Sequence, residues 1–364
     1  MNPSPWQSVG DGDWLRTLWE GDGIGARIAR AALVPAELLF HTVSVTRTAL
    51  YSSGILNTHA TAIPALSVGN LTVGGTGKTP LAAYLAKRLR DQGATPAIVL
   101  RGYGDDEPLV HRTLNPDVPV VVSPDRVAGC IQARDLGCDV AVLDDAFQHR
   151  QASRVADIVV ISADRWRGRQ RHLLPAGPWR ERLSAAGRAS LAIVTRKAAS
   201  LDRAMLVIDA LRGAVPAIPT AIVHLDPGTL RDANGTTTVE LSALANESVL
   251  AISAIGDPAA FEAQLARTGA RVETAVFRDH HRYSAADVAV LHKRAERYDR
   301  VVCTLKDAVK LGPLWPGPSP LWYVSQRVVV ERGVGALDDV LTTTLLARSA
   351  SIHSRRSGPS RPLD

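Results

Sequence analysis

The chain has 364 residues, of which 46% are hydrophobic and 21% charged, with a formal net charge of +6. That length accommodates two ordinary domains with buried cores, and the apolar content excludes a wholly disordered chain. The positive balance favours anionic partners, namely nucleic acid, a phosphorylated small molecule or an acidic lipid surface. The three cysteines, Cys130, Cys138 and Cys303, form no C-x-x-C pair and fit a reducing compartment rather than a disulfide scaffold.

No cleavable signal peptide is expected, because Asp11, Asp13, Glu20 and Asp22 crowd the start and no small-residue cleavage site follows an apolar run. Residues 26–56 are apolar over long runs but interrupted by Pro35, Glu37, His41 and Arg47, with Trp6, Trp14 and Trp19 before them. They read either as a helix lying in a membrane interface or as an amphipathic helix packed on its own domain.

From residue 60 onward, short apolar strands alternate with helical stretches. "PALSVG", "PAIVL", "PVVVS", "VAVLDD", "DIVVIS" and "LAIVTR" make a first series, and "AIVHL", "VLAISAIG", "VETAVF", "RVVCT" and "LWYVS" a second. Fully apolar strands separated by helices predict a parallel sheet covered on both faces. The predicted organisation is an N-terminal amphipathic segment (1–60), a phosphate-loop lobe (61–210), a smaller C-terminal α/β lobe (211–346) and a disordered tail (347–364). The helix expected at 80–93 carries Leu81, Leu85 and Leu89 on one face, and Gly93 is placed to stop it.

"TVGGTGKT" (72–79) stands between a strand and that helix. The usual phosphate loop, G-x-x-x-x-G-K-[ST], has glycine where Thr72 stands here. Gly74, Gly75 and Gly77 nevertheless allow a phosphate to approach the backbone. The candidate cofactor-binding run is Thr72, Val73, Gly74, Gly75, Thr76, Gly77, Lys78 and Thr79, with Lys78 reaching the outer phosphates and the Thr79 hydroxyl serving Mg²⁺. The bridging lysine of dimeric partitioning ATPases is replaced by Val73.

"VAVLDDAFQHR" (140–150) is an apolar strand ending in Asp144 and Asp145, the position of a metal-side carboxylate, followed by Gln148 and His149. "RGYGDDEPLV" (101–110) brings Asp105, Asp106 and Glu107 to a glycine turn, and "FRDHHRYS" (277–284) places His280 and His281 beside Asp279. Either could take a proton from an acceptor hydroxyl. A zinc site is disfavoured, as no cysteine or H-E-x-x-H spacing accompanies the histidines. Arg165, Arg167, Arg169 and Arg171 alternate around Trp166, a pattern suited to phosphate, a lipid headgroup or simply solvent.

Taken in order, "SVGNLTVGGTGKTP", "RGYG", "DEP", "DDAFQH", "LLPAGPWRE", "DHHRY" and "TLKDAVKL" resemble the tetraacyldisaccharide 4′-kinases, from about residue 10 to about residue 345. That family's loop also lacks the first glycine. The resemblance implies a P-loop NTPase-like α/β fold with a second, smaller α/β lobe across a cleft, and an N-terminal helix at the cytoplasmic face of the bacterial inner membrane. It implies ATP and Mg²⁺ as donor and metal, and a lipid A precursor, tetraacyldisaccharide 1-phosphate, as acceptor. Neither nucleic acid nor an obligatory protein partner is implied.

By motif match, Lys78, Asp106 and His280 are catalytic, and Thr79, Asp144 and Asp145 lie on the metal side. Glu107, Gln148, His149, Arg180, Glu181 and His281 occupy other cleft positions, whereas Thr304 and Asp307 are expected to hold a strand-to-helix turn. The chain departs from the family where Gly104 runs almost directly into Asp105, Asp106 and Glu107, and where Ala146 replaces a glycine. Leu305 and Leu100 replace the usual glutamate and serine. The rivals are another P-loop kinase or ATPase with a different acceptor, and a membrane-bound nucleotide-binding module without transfer; no N-K-x-D guanine-reading motif is present.

Overall fold

The computed structural model describes residues 17–19, 21–102, 104, 106–168, 171–233, 237–317 and 319–356. Trp6, Asp11, Asp13, Trp14, Glu20, Asp105 and Arg169, singled out above, lie outside them. In chain order the elements are α1 (Ile24–Ser52), β1 (Ala65–Asn70), α2 (Lys78–Asp91), β2 (Pro96–Leu100), α3 (Asp106–Leu114), β3 (Val120–Val122), α4 (Arg126–Asp135), β4 (Val140–Asp144) and β5 (Ala156–Ser162). There follow β6 (Leu191–Arg196), α5 (Leu201–Ala214), β7 (Thr220–Asp232), β8 (Thr238–Val239), β9 (Ser248–Ser253), α6 (Pro258–Ala266) and β10 (Arg271–Val276). The chain closes with α7 (Ala285–Ala295), β11 (Arg300–Thr304), α8 (Leu305–Leu311), β12 (Leu321–Arg332) and α9 (Val334–Arg356).

These elements form two compact units that interleave along the sequence. One takes Ala36–Tyr103, Leu114–His224 and Val330 onward; the other takes the described residues up to Pro35, with Gly104–Thr113 and Leu225–Val329.

The first unit carries parallel strands in the order β3-β2-β4-β1-β5-β6, with the start of β7 beside β6. Every residue of β1, β2 and β4 is buried, as a sheet with helices on both faces requires. Alternate residues serve opposite faces: Ala97, Val99, Ala141 and Leu143 pack with Cys130 and Ala133 of α4. Val159, Ile161, Ala192 and Val194 pack with Val207, Ile208 and Leu211 of α5. In α2 the buried stripe is Leu81, Leu85 and Leu89, each fully buried leucine contributing about 2 kcal/mol. Gly93, at φ 83°, ends that helix as its sequence position predicts.

The second unit has parallel β10-β9-β11-β12 and an antiparallel β7–β8 pairing. Its core joins Leu250, Ile252, Val288, Leu291, Cys303 and Leu311. Ser284 and Asp287 form a reciprocal cap at the start of α7.

Helix α1, within residues 26–56, has two kinds of surface. Within Ala36–Ser52 its polar residues hold it to the first unit. Glu37 accepts the Leu173 N–H (2.8 Å) and pairs with His172 (3.0 Å), and Arg47 donates to the Gln148 carbonyl (3.1 Å). Arg150 donates to the Thr48 carbonyl (2.7 Å), and Arg47 and Arg150 both stand over the Tyr51 ring. Ile24, Ile28, Leu38, Leu39, Val43 and Val45 stay exposed. By length and composition α1 suffices to cross a membrane, and none of its most apolar window is buried.

At the other end, α9 continues to Arg356, so the expected tail begins within a helix. Leu337 and Leu341 of this helix are fully buried, and Arg348, within the stretch expected to be disordered, pairs with Asp139 (2.7 Å).

Candidate active site

The phosphate loop leaves β1 and enters α2 through two left-handed glycines, Gly74 (φ 103°) and Gly77 (φ 84°). Lys78 and Thr79 open α2, where unpaired helix N–H groups favour an anion. The loop is braced from a distant stretch of sequence. Val73 N–H donates to the Pro178 carbonyl and Arg180 N–H to the Leu71 carbonyl, both at 2.7 Å, making an antiparallel bridge between Thr72 and Trp179. Within the loop, Asn70 donates to the Thr76 hydroxyl (3.1 Å), and Thr195 donates to the Thr76 carbonyl (2.8 Å). Position 72, where the usual loop has glycine, is therefore held by a backbone bridge.

Asp145, directly after the end of β4, faces the same loop. Asp145 lies 3.6 Å from Lys78 Nζ and 3.0 Å from Arg180 Nη1. Its backbone is left-handed (φ 51°), a conformation aspartate tolerates. The positive-φ residue of this turn is thus Asp145, and the alanine at 146 meets no left-handed strain; Ala146 is fully buried instead. Asp144 is buried, and its carbonyl accepts from Arg126, whose own guanidinium is buried and has its pKa lowered by desolvation.

Gln148 and Glu181 extend this network. Gln148 donates to the Asn70 carbonyl (2.8 Å) and to Glu181 (3.1 Å), and Arg188 holds Glu181 through two bonds of 2.8 and 3.0 Å. His149 is half-buried near the charges of Arg126 and Arg154. Burial, then those two charges, lowers its pKa, so it is a poor cation. Asn70, Arg126, Arg188 and Thr195 were not singled out from the sequence. The asparagine lies within the quoted "SVGNLTVGGTGKTP", but Arg126 opens α4, Arg188 ends a short 3₁₀ helix and Thr195 lies on β6, none with a local signature.

Asp106 and His280 come together in the other unit. Despite the shortened connection after Gly104, Asp106 begins α3, and His280 Nδ1 lies 3.1 Å from both carboxylate oxygens. Gly104 makes this possible: at φ 79°, its missing Cβ would stand 2.7 Å from Asp106 Oδ1 and 3.3 Å from His280 Nδ1. Burial raises the Asp106 pKa, but the His280 hydrogen bond and the charges of Lys306, His280 and Lys310 outweigh it and bring the value to about 2. The same hydrogen bond raises the pKa of His280, against burial and Lys306. Glu107 shares the first turn of α3.

The two histidines separate cleanly. His281 stacks on Phe277 (4.8 Å), meets Tyr283 edge-on and pairs with Asp287 (3.2 Å), so it belongs to the packing behind the loop. His280 keeps a side chain 43% exposed and takes a left-handed backbone (φ 59°), its N–H donating to the Ala254 carbonyl.

Asp307 anchors that loop. It is fully buried, and burial raises its pKa although Thr304, Lys310, Tyr283 and the Ala254 N–H all favour the carboxylate. It accepts from Tyr283 (2.9 Å), Thr304 (2.6 Å) and Ala254 N–H (3.2 Å), while Lys310 donates to the His281 carbonyl (3.0 Å). Asp307→Ala strands at least two buried donors, each costing about 1–3 kcal/mol. We expect a correspondingly lower denaturant midpoint in a chemical melt, with Asp307→Asn losing less.

Comparison with known proteins places these residues in context. A family model described as tetraacyldisaccharide-1-P 4′-kinase matches residues 29–113 and 104–345. A tetraacyldisaccharide 4′-kinase of Halorhodospira halophila is 36% identical over 355 residues, covering 92% of this chain and 98% of the relative. One from Anaeromyxobacter sp. strain Fw109-5 is 35% identical over 372 residues, covering 92% and 99%. The crystal structure of "apo" form LpxK from Aquifex aeolicus in complex with ATP matches with a TM-score of 0.69 at 27% identity, covering 87% of this chain and 99% of that one.

Proposed function

The chain belongs to the tetraacyldisaccharide-1-P 4′-kinase family, and from that premise we propose how its residues divide the labour of the reaction. The protein is a lipid A biosynthesis kinase that transfers the γ-phosphoryl group of ATP to the 4′-hydroxyl of tetraacyldisaccharide 1-phosphate. The observation that carries the mechanism is the phosphate loop with Lys78 and Arg180 both turned to Asp145.

Loop N–H groups from Gly74 to Thr79 hold the polyphosphate, and Lys78 leaves Asp145 to meet the charge on the outer phosphates. The Thr79 hydroxyl and the Asp144 and Asp145 carboxylates are hard oxygen donors. They suit Mg²⁺, which binds through one or two carboxylates plus the substrate's phosphates rather than in an all-protein cage. When bound, Mg²⁺ would neutralise charge shared by the β- and γ-phosphates. Arg180 is placed to take over Asp145 or a phosphate oxygen as Lys78 moves.

The acceptor oxygen attacks the γ-phosphorus, the bond to the β-phosphate oxygen breaks, and ADP leaves. The hydroxyl proton goes to His280 Nε2, because Nδ1 is engaged by Asp106. A carboxylate with a pKa of about 2 is a weak base, whereas an imidazole with a raised pKa is a far stronger one. Asp106 therefore orients the ring and stabilises the imidazolium.

The exposed apolar side of α1 supports a seat at the cytoplasmic face of the inner membrane, where acyl chains of the acceptor reside. Acceptor-dependent turnover tests the assignment: ADP release with Mg²⁺-ATP should rise strongly on adding tetraacyldisaccharide 1-phosphate. Turnover indifferent to the acceptor would instead fit an ATPase.

A further inference from the structure

The arginine-rich stretch around Trp166 has no part in the mechanism above, yet its residues have different fates. Arg171 stands over the Trp166 ring (4.5 Å) and donates to the Gly168 carbonyl (2.7 Å), which makes it part of the local packing. Trp166 itself is buried edge-on against Trp179. Arg165, half-buried, goes the other way, onto the phosphate loop. A Cβ placed on Gly74 would lie 1.8 Å from Arg165 Nη1 and 3.0 Å from its Cζ. The guanidinium thus occupies the space that glycine leaves open at φ 103°.

This arginine is held from behind by a rigid frame. Its neighbour Asp164 accepts three backbone N–H groups, from Lys197 (2.8 Å), Ala198 (2.8 Å) and Ala199 (2.7 Å). Arg203 donates to the Ala163 carbonyl (2.9 Å) and the Trp166 carbonyl (2.6 Å) on either side. A pre-oriented planar cation beside a glycine-rich loop is suited to bidentate contact with phosphate oxygens.

We propose that Arg165 is a phosphate ligand of the bound nucleotide, its guanidinium donating to polyphosphate oxygens seated on the loop at Gly74. The proposal rests on the kinase reading and adds a residue to its donor side. It also assigns the basic stretch: Arg165 to the nucleotide and Arg171 to packing.

Binding of ATP and of ADP to the purified full chain, followed by isothermal titration calorimetry, tests it. Losing a charge-assisted pair predicts that Arg165→Gln weakens both nucleotides roughly ten- to a hundredfold, with KM for ATP rising and kcat at saturation nearly kept. Arg165→Lys, which keeps the charge but not the fork, should fall between. An unchanged thermal midpoint would show that the frame survives. Should Arg165→Gln fail to fold, the lysine variant alone still decides through its nucleotide affinity. Dissociation constants within twofold of the unmodified protein would overturn the proposal. If the unmodified protein binds ATP but phosphorylates no acceptor, the kinase reading fails while the effect of Arg165→Gln on binding still supports this contact.

Discussion

Lys78→Ala should reduce phosphoryl transfer by a factor on the order of 10³ or more, the scale seen when one preorganised donor to developing transition-state charge is removed. Lys78 is the first residue of α2, its side chain is 14% exposed, and its ammonium already lies 3.6 Å from Asp145. Deleting it leaves the loop's own supports intact, since Val73, Thr76 and Arg180 are tied through backbone groups and Asn70. The variant should therefore fold and retain part of its nucleotide affinity through backbone N–H groups. Steady-state kcat and KM separate the effects: the loss should lie chiefly in kcat, because negative charge develops on the departing β-phosphate oxygen in the loose transition state, where the ammonium meets it. Activity within tenfold of the unmodified protein would remove Lys78 from the mechanism.

The second large effect is expected on the acceptor side. His280→Ala should lower kcat by about 10²–10⁴, the range for a positioned general base, while the ATP dissociation constant stays within about twofold. Asp106→Asn should cost less than His280→Ala, since it removes the partner of the ring rather than the ring. The pH dependence carries the sign. The pKa of His280 is raised, so its imidazole is protonated at and somewhat above its ordinary 6.5. A base must be neutral to act, so kcat should rise with pH through that displaced value. In Asp106→Asn the rise should move to lower pH, because the hydrogen bond and charge that favour the imidazolium are gone.

Stability follows the same pair with the opposite slope. The raised pKa of His280 stabilises the fold below about 6.5, and this stabilisation is lost as pH climbs through the folded value. The lowered pKa of Asp106 stabilises it above the ordinary 3.8, and this is lost as pH falls toward about 2. The contribution of the pair is therefore greatest between those ordinary values. A kcat that falls through the His280 titration would instead assign the proton to Asp106, with charged His280 as its partner.

The sequence made the phosphate loop legible because strand, glycines and helix are consecutive there. Leu81, Leu85 and Leu89 marked the buried face of α2, and Gly93 its end, by local rules alone. The apolar strands likewise announced a parallel sheet. What supports the loop was less legible: Arg180 was named only as a cleft position, and it, Pro178 and Thr195 reach the loop through pairings that close only in the folded chain. The same limit affected Ala146. A glycine at that position in the family gives no local sign of where the left-handed residue stands in this chain, which is one place earlier, on Asp145.

Two other features turned on packing rather than pattern. Glu37 and Arg47 weakened the case for a membrane helix when seen as interruptions, whereas both are engaged with the first unit and leave an apolar side uncovered. The short connection after Gly104 left the position of Asp106 open. Glycine's left-handed backbone and missing side chain let the carboxylate meet His280 without a longer loop.

The most direct test of the kinase assignment follows the γ-phosphate itself. Purified protein in detergent would be given γ-labelled ATP, Mg²⁺ and tetraacyldisaccharide 1-phosphate, and the lipid product examined for the position of the label. A bisphosphorylated lipid labelled at the 4′-oxygen and not at the 1-phosphate is expected. A lipid that stays unlabelled while ATP is bound, or label released only as inorganic phosphate, would contradict the assignment.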